Sequence, residues 1–306
     1  MSPDLDPALH EAHSAAPHCA AYNPDPRVPH ITLPPLSCDC HAHICGPAAR
    51  YPYARERIYT PPDALLPAYL NMLQAIGVQR AVLVQPSVYG TDNRVLLKAM
   101  NESPLAVRGV AVIDHSVSDD ELERLHQAGV RGARFNLVDV RNPSGQLDLS
   151  PVRDLAERLA RFAWHAEFLL HADDYPDLDR LFADFPLDIV FGHLGYVRPP
   201  LAVDNRGFQA LLKLLDSGRC WVKLTGPMRI SADEMPYPDV IPLARTLVDR
   251  APERVLWGSD WPHVIINKAM PNDGDLVDLL ASWIPDTDRR RQVLVDNPDL
   301  LYGFSA

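Results

Sequence analysis

The feature that most constrains the fold is an alternation of short apolar runs, rich in β-branched and aromatic residues, with amphipathic helical stretches. Strands alternating with helices predict parallel βαβ units, and eight such units predict a closed (β/α)8 barrel of the α/β class. A doubly wound open sheet is the alternative, but no Gly-x-Gly-x-x-Gly motif follows the first run. The predicted strands are 38–43, 81–85, 109–113, 132–136, 167–171, 188–193, 221–225 and 255–260.

The stretches between these strands carry helix signals. Ser118 precedes an acidic first turn and is a predicted N-cap, while Gly77 and Gly129 are predicted C-terminal stops. Residues 1–36 hold eight prolines and little periodic hydrophobicity, which predicts an extended N-terminal arm ahead of a barrel over 37–306. The predicted helices are 62–76, 93–100, 119–128, 151–162, 175–185, 208–216 and 239–249.

Composition narrows the function classes. The net charge is −11 and no basic block is present, so neither nucleic acid nor an anionic membrane is an expected partner. No apolar run approaches the roughly 18 residues of a membrane span, and the first residues lack the pattern of a secretory signal. We therefore expect a cytoplasmic protein that acts on a small molecule, and the proline-rich arm permits a homo-oligomer. The five cysteines are interpreted as small core residues of a reducing compartment rather than as disulfides or metal ligands.

Polar residues at the predicted strand ends carry the candidate chemistry. His41 and His43 are two residues apart, so a strand would aim both imidazoles to one face. A His-x-His motif alone arises often by chance. However, His171, His193 and Asp260 end later strands, and in a barrel the strand ends share one rim. His41, His43, His171 and Asp260 form a three-nitrogen, one-oxygen donor set that suits Zn²⁺ with an open position. His193 would lie beside them, either as a partner that supports the metal ligands or as a proton shuttle.

An anionic substrate requires fixed cations near this rim. Arg134 lies on the fourth predicted strand and Arg229 in the loop after the seventh. Both are predicted to bind a substrate carboxylate or sulfonate through a bidentate guanidinium. The further candidates for substrate binding are Asn136, Tyr59, Ser87 and Tyr89.

Two motifs resemble a known family. Asp-Cys-His-Ala-His at residues 39–43 and Trp-Gly-Ser-Asp-Trp-Pro-His at residues 257–263 resemble the amidohydrolase superfamily, in its amidohydrolase-2 branch. Further collinear segments resemble 2-pyrone-4,6-dicarboxylate lactonase and its relatives, and the resemblance covers most of residues 36–303 but not the arm. These segments are 51–63, 90–94, 131–136, 223–229 and 296–298.

The resemblance implies a lactone hydrolase of aromatic-compound catabolism. His41, His43, His193 and Asp260 match that family's active-site cluster, in which the aspartate is the general base that takes a proton from water. The lactonase works without a metal, whereas His171 matches the ligand set of zinc-dependent members such as 4-sulfomuconolactone hydrolase. We therefore expect zinc dependence, with a metal-independent mechanism still open.

Two other functions stay open at this stage. A nonoxidative decarboxylase of an aromatic or muconate-type acid would share the metal ligands, because the same branch includes such enzymes. A catalytically silent binding barrel would be expected to lack part of the polar set. The presence of the whole set favours an enzyme.

Overall fold

Eight parallel strands, in sequence order, form one sheet in the part of the chain that the structure describes. The structure is a computed structural model that describes residues 16–138, 147–199 and 203–305. Each strand pairs in parallel with the next, and helices separate them along the chain, so the predicted (β/α)8 barrel is confirmed. The strands are β1 (Cys38–Ala42), β2 (Arg80–Val84), β3 (Ala106–Ala111), β4 (Val130–Asn136), β5 (His165–Leu169), β6 (Ile189–Phe191), β7 (Cys220–Leu224) and β8 (Val255–Trp257).

The barrel closes through the segments that follow β8 and β1. The backbone N–H of Asp260 donates to the carbonyl of His41 over 2.8 Å, and the N–H of His43 donates to the carbonyl of Trp261 over 2.8 Å. These two bonds place the segment after β8 directly against the end of β1. The first and last polar motifs of the sequence therefore meet at the C-terminal rim of the barrel.

A helix forms at each predicted position, and the one predicted over 175–185 is much shorter than expected. The Ser118 side chain accepts a hydrogen bond from the N–H of Glu121, and Gly77 ends its helix in the left-handed conformation with φ 78°. The helices are α1 (Leu66–Ile76), α2 (Arg94–Glu102), α3 (Asp119–Gln127), α4 (Ser150–Ala160), α5 (Leu178–Leu181), α6 (Arg206–Leu215), α7 (Pro227–Ile230), α8 (Ile241–Arg250), α9 (Asp273–Asp278), α10 (Leu280–Trp283), α11 (Thr287–Arg291) and α12 (Asn297–Tyr302), with a π-helical turn at Gln292–Asp296.

Several predicted boundaries differ from the structure. The helix predicted over 175–185 shortens to α5, because Phe182 and Phe185 bury their rings from turns that follow it. The strands predicted to end at His193 and Asp260 stop at Phe191 and Trp257. His193 and Asp260 have φ values of 51° and 66°, which no strand residue adopts. The catalytic candidates therefore lie in the loops just beyond the strands.

The alternation of side chains between the two faces of the sheet is also interrupted inside β1. The pairing of β1 with β2 shifts register between Asp39 and Ala42, which is the signature of a β-bulge. Cys40 packs in the apolar cluster of the barrel interior with Val82 and Val84. His41 also faces the interior, since its Nδ1 reaches side chains on β5 and β7. The prediction that Cys40 lies on the face opposite His41 is wrong, because the bulge rotates His41 inward.

The described part of the N-terminal arm, residues 16–36, runs along the barrel. The backbone of Cys19 donates to Thr60, the ring of Tyr22 lies 4.7 Å from that of Trp261, and His30 Nδ1 lies 2.6 Å from Asp278. Residues 1–15 of the predicted arm are outside the described residues, as are 139–146 and 200–202 in two predicted loops. All five cysteines are free thiols. Among the described residues, every helix is too short or too polar to cross a membrane.

Candidate active site

Three imidazoles surround one carboxylate oxygen at the C-terminal rim of the barrel. The Nε2 atoms of His41, His43 and His193 each lie 3.9 Å from Oδ1 of Asp260. All four side chains are buried. Two of the imidazoles come from the end of β1, the third from the turn after β6, and the carboxylate from the loop after β8. The structure thus brings together four residues that are far apart in the sequence.

Two glycines make this close approach possible. A Cβ on Gly226, which has φ 57°, would lie 2.7 Å from Nδ1 of His193 and 3.0 Å from Oδ2 of Asp260. A Cβ on Gly258 would lie 2.7 Å from the backbone nitrogen of His41. Any side chain at either position would displace the cluster, since real Cβ contacts do not reach such distances.

The second oxygen of Asp260 is held by an arginine. Arg229 Nε donates to Asp260 Oδ2 over 2.6 Å, and Arg229 Nη1 donates to the carbonyl of Val264 over 2.8 Å. Burial alone would raise the pKa of Asp260, but Arg229 and then His193 oppose it and hold that pKa below its usual value. Oδ1 of Asp260 has no hydrogen-bond partner among the described residues. The carboxylate is therefore fixed on one side and available to a proton or a metal on the other.

Two of the three imidazoles have an outer nitrogen held by a single defined partner. His43 Nδ1 lies 2.7 Å from the carbonyl of Val84, so Nδ1 carries the proton and Nε2 the lone pair. His193 Nδ1 lies 2.7 Å from the hydroxyl oxygen of Thr225. Burial lowers the pKa of His43 to about 3 and that of His193 well below its ordinary value. The imidazoles are therefore neutral at physiological pH.

The cluster fits a divalent metal ion by its donors and its geometry. His41, His43 and Asp260 each offer one ligand atom, and these atoms lie within 4.8 Å of one another. Two atoms that each lie about 2.1 Å from one ion can be at most about 4.2 Å apart, so the 3.9 Å separations match shared ligation. His41 Nε2 and Asp260 Oδ1 are buried without partners in the described structure, as ligand atoms would be.

His171, a predicted ligand, lies beside this group rather than within it. It follows β5 by two residues, and its Nδ1 lies 3.1 Å from the carbonyl of Tyr196. The ring of Tyr196 contacts both His171 and His193, with centroid separations of 5.1 and 5.0 Å. Because a carbonyl only accepts, His171 Nδ1 donates and Nε2 keeps its lone pair, as in His43. Its role as a ligand stays a prediction.

The predicted substrate-binding residues fall into two groups. Ser87, Arg134 and Asn136 line a cleft of about 420 Å³. Arg134 Nη1 donates to the carbonyl of Gln85 over 3.2 Å, while its buried Nε has no partner in the described structure. Tyr59 is buried, and the Ser87 hydroxyl lies close enough to interact with its phenol. One side of the site therefore holds a guanidinium whose Nε donor has no partner among the described residues, together with nearby hydroxyl groups.

The second group is tied to the protein itself. Arg229, predicted to bind substrate, is engaged by Asp260 and Val264. The Tyr89 hydroxyl accepts a hydrogen bond from the backbone N–H of Gly46 over 2.6 Å. Arg229 contacts the site through Asp260, and the substrate contacts of both residues stay predictions.

With this geometry described, comparison with known proteins assigns the family. A family model described as amidohydrolase matches residues 38–304. This chain belongs to the amidohydrolase family. A 4-sulfomuconolactone hydrolase from Hydrogenophaga intermedia is 37% identical over 90% of this chain and 91% of its own length. A 2-pyrone-4,6-dicarboxylate hydrolase from Comamonas testosteroni is 37% identical over 91% of this chain and 93% of its own length.

A solved structure supports the fold of this amidohydrolase directly. A Pseudomonas putida protein, described as a proposed 2-pyrone-4,6-dicarboxylic acid hydrolase, superposes with a TM-score of 0.77 at 33% identity. The similarity covers 90% of this chain and all of that one. The resemblance noted from the sequence motifs is confirmed over nearly the whole barrel.

Sequence reasoning missed two charged residues in the barrel interior of this amidohydrolase. Glu167 on β5 and Lys223 on β7 form an ion pair below the site, and both contact His41. Glu167 stands in the apolar strand run Glu-Phe-Leu-Leu, and Lys223 stands in the run Trp-Val-Lys-Leu. A charged residue within a buried parallel strand requires a partner, and that signal was available in the sequence.

Proposed function

We propose that this amidohydrolase opens a small anionic lactone by attack of water on the ring carbonyl, in the catabolism of aromatic compounds. The observation that carries the proposal is Asp260, whose Oδ1 is buried, unpartnered in the described structure and surrounded by three imidazoles. The names of the two relatives at 37% identity support the same reaction and substrate class.

Asp260 acts as the general base. The carboxylate of Asp260 accepts a proton from water as the water oxygen bonds to the lactone carbonyl carbon, while Arg229 holds the carboxylate in place through Oδ2. The ring C–O bond then breaks, and Asp260 returns the proton to the departing oxygen. The lowered pKa of Asp260 keeps the carboxylate ionised and ready to accept at neutral pH.

His193 stabilises the negative charge that develops on the carbonyl oxygen. The Thr225 hydroxyl oxygen accepts from the backbone N–H of His193, so its own proton can be donated to His193 Nδ1. That arrangement leaves a proton on Nε2, which faces the site. Loss of one such donor typically reduces the rate by about 10²–10³.

Zinc is the proposed metal, held by His41, His43 and Asp260, with His171 as the proposed fourth ligand. The support is the donor set and the unpartnered ligand atoms of the cluster. When bound, zinc would lower the pKa of water in the site toward about 7 and polarise the carbonyl.

Arg134 is the proposed anchor for a carboxylate or sulfonate of the substrate. Its Nε is a buried donor with no partner among the described residues, and it lies at the cleft with Ser87 and Asn136. A charge-assisted hydrogen bond from the substrate would satisfy it. Tyr59, Tyr89 and Arg229 complete the proposed set of substrate contacts.

A lactone panel tests the proposal. Purified protein is mixed with 4-sulfomuconolactone, 2-pyrone-4,6-dicarboxylate and neutral lactones, with and without chelator, and ring opening is followed by absorbance. We expect turnover of at least one anionic lactone, lost on chelation and restored by zinc. Activity that survives complete metal removal would reject zinc but retain the general base. Release of CO2 from an aromatic carboxylic acid with no lactone opening would replace the proposal with a decarboxylase, and no turnover of any kind would indicate a binding barrel.

A further inference from the structure

Another cavity lies at the end of the barrel opposite the three imidazoles. Its volume is about 650 Å³, and sites for small molecules occupy about 300–1,000 Å³. Its wall includes residues at the start of four consecutive strands, namely His165 on β5, Asp188 before β6, Arg219 before β7 and Arg254 before β8. The residues of the candidate active site follow the strand ends instead. The two sites therefore occupy opposite ends of the barrel.

Positive charge dominates the wall of this cavity, although the chain carries a net charge of −11. Among the described residues that line it, Arg131, Arg219 and Arg254 are basic, and Asp188 is the one acidic residue. Asp188 Oδ1 lies 3.5 Å from Nε of Arg219, and both side chains are largely exposed. An exposed pair of this kind neutralises little charge. The cavity is therefore short of negative charge.

Two unsatisfied donors mark the Arg254 side of the cavity. The Arg254 guanidinium lies over the ring of Trp221, with Cζ 4.7 Å from the ring centroid. Trp221 also lines the cavity and is 1% exposed. Neither the indole N–H of Trp221 nor the buried Nε of Arg254 has a partner in the described structure. Because a buried donor without an acceptor is costly, both atoms favour a ligand that carries acceptor oxygens and a negative charge.

The rest of the wall is mainly apolar. Trp164 and Leu187 are buried members of it, and Leu300 on α12 contributes an apolar side chain. Leu300 is 69% exposed, so a large apolar residue at the cavity faces water. An inorganic ion would cover little of this surface, whereas a ring attached to the anionic group would remove it from water. The wall therefore favours an organic anion over an inorganic one.

We propose that this cavity, the basal site, binds a small aromatic carboxylate. The carboxylate accepts hydrogen bonds from the Arg254 guanidinium and the Trp221 indole, and Arg219 adds a second positive charge. The ring packs against the apolar wall that includes Leu300. The proposal goes beyond lactone opening, because these residues belong neither to the Asp260 cluster nor to the cleft at Arg134.

Benzoate is the probe, and benzamide is a neutral control of the same shape. Binding is measured by isothermal titration calorimetry in the Arg134→Gln variant, which removes the proposed anion anchor of the active site. We expect one benzoate per chain and much weaker binding of benzamide. Adding Arg254→Gln should weaken benzoate binding about 10- to 100-fold, because a charge-assisted hydrogen bond is lost.

Two further variants locate the binding. Leu300→Glu, at an exposed position, introduces an acid into the cavity wall and should also weaken benzoate binding. Arg245→Gln is the matched control, because this exposed arginine on α8 donates to the carbonyl of Ser282, away from the cavity, and should leave the affinity unchanged. Equal affinity for benzoate and benzamide, no binding of benzoate, or an affinity that neither Arg254→Gln nor Leu300→Glu alters would overturn the proposal. Benzoate binding that follows this pattern in a protein without lactone turnover would support the basal site and refute only the proposed function.

Discussion

Arg229 and Asp260 form a buried ion pair in which Nε of the arginine lies 2.6 Å from Oδ2 of the carboxylate. The same guanidinium donates to the carbonyl of Val264 over 2.8 Å. One planar group therefore joins the proposed general base to the loop that follows it. We therefore expect Arg229 to hold Asp260 in position for catalysis, in addition to any contact that it makes with substrate.

Arg229→Lys should separate a role in holding Asp260 from a role in binding substrate. An ammonium keeps the charge but cannot reproduce the fork that binds Asp260 and Val264 together. We expect kcat to fall about 10- to 100-fold, with KM for an anionic lactone within about threefold of wild type. A large rise in KM with little change in kcat would show that Arg229 acts in substrate binding alone and does not support Asp260. Arg250→Lys, at an exposed pair with Asp216, is the matched control and should leave both constants unchanged.

Arg134→Gln tests the anchor for the substrate anion. The variant loses a charge-assisted hydrogen bond worth about 1.5–3 kcal/mol, so KM should rise about 10- to 100-fold for an anionic lactone. A neutral lactone should be bound equally by both proteins. Arg131→Gln on the same strand is the control, because Arg131 donates to the carbonyls of His126 and Val130 instead. Equal losses for anionic and neutral lactones would argue against an anion anchor.

His171→Ala tests the fourth zinc ligand. The His171 Nδ1 contact to the Tyr196 carbonyl leaves Nε2 as the free lone pair, so we expect zinc affinity to fall by at least about tenfold. Metal content after dialysis and competition with a chelator measure the change. His115→Ala, at an exposed position, should retain wild-type affinity. Full zinc occupancy in His171→Ala would limit the ligands to His41, His43, Asp260 and the neighbouring His193.

His165 should make the fold sensitive to acid. Burial, its largest cause, lowers the pKa of His165 to about 4, against about 6.5 in the unfolded chain. Below pH 6.5 the unfolded chain therefore binds a proton that the folded chain does not, and the free energy of unfolding decreases as the pH falls. Lowering the pH from 7 to 5 should reduce the free energy of unfolding by about 2 kcal/mol through this one residue.

The measurement for His165 is urea unfolding of wild type and His165→Leu at pH 7 and pH 5. Between pH 7 and pH 5, the free energy of unfolding should fall by about 2 kcal/mol less in the variant than in wild type. An identical loss in the two proteins would show that His165 is not the group responsible. Because both proteins are compared between the same two pH values, the contributions of other titrating residues cancel.

The barrel was predictable because each strand of a parallel sheet is buried on both faces and each helix is amphipathic, so the alternation is visible in the residues. The cluster of site residues was predictable as well, since the strand order places His41, His193 and Asp260 at one end of the barrel. The left-handed turns at His193 and Asp260 were not predictable, because they depend on how the loops pack. The bulge in β1 was missed for the same reason, and with it the contact of His41 with Glu167 and Lys223.

The most direct test of the central claim is the ring-opening rate of Asp260→Asn on the best anionic lactone of the panel. Asparagine keeps the shape of the side chain but cannot accept and return a proton. With folding confirmed by circular dichroism, we predict a loss in kcat of about 10²–10⁴, the range expected for a general acid-base residue. Turnover at the wild-type rate would contradict the proposed mechanism.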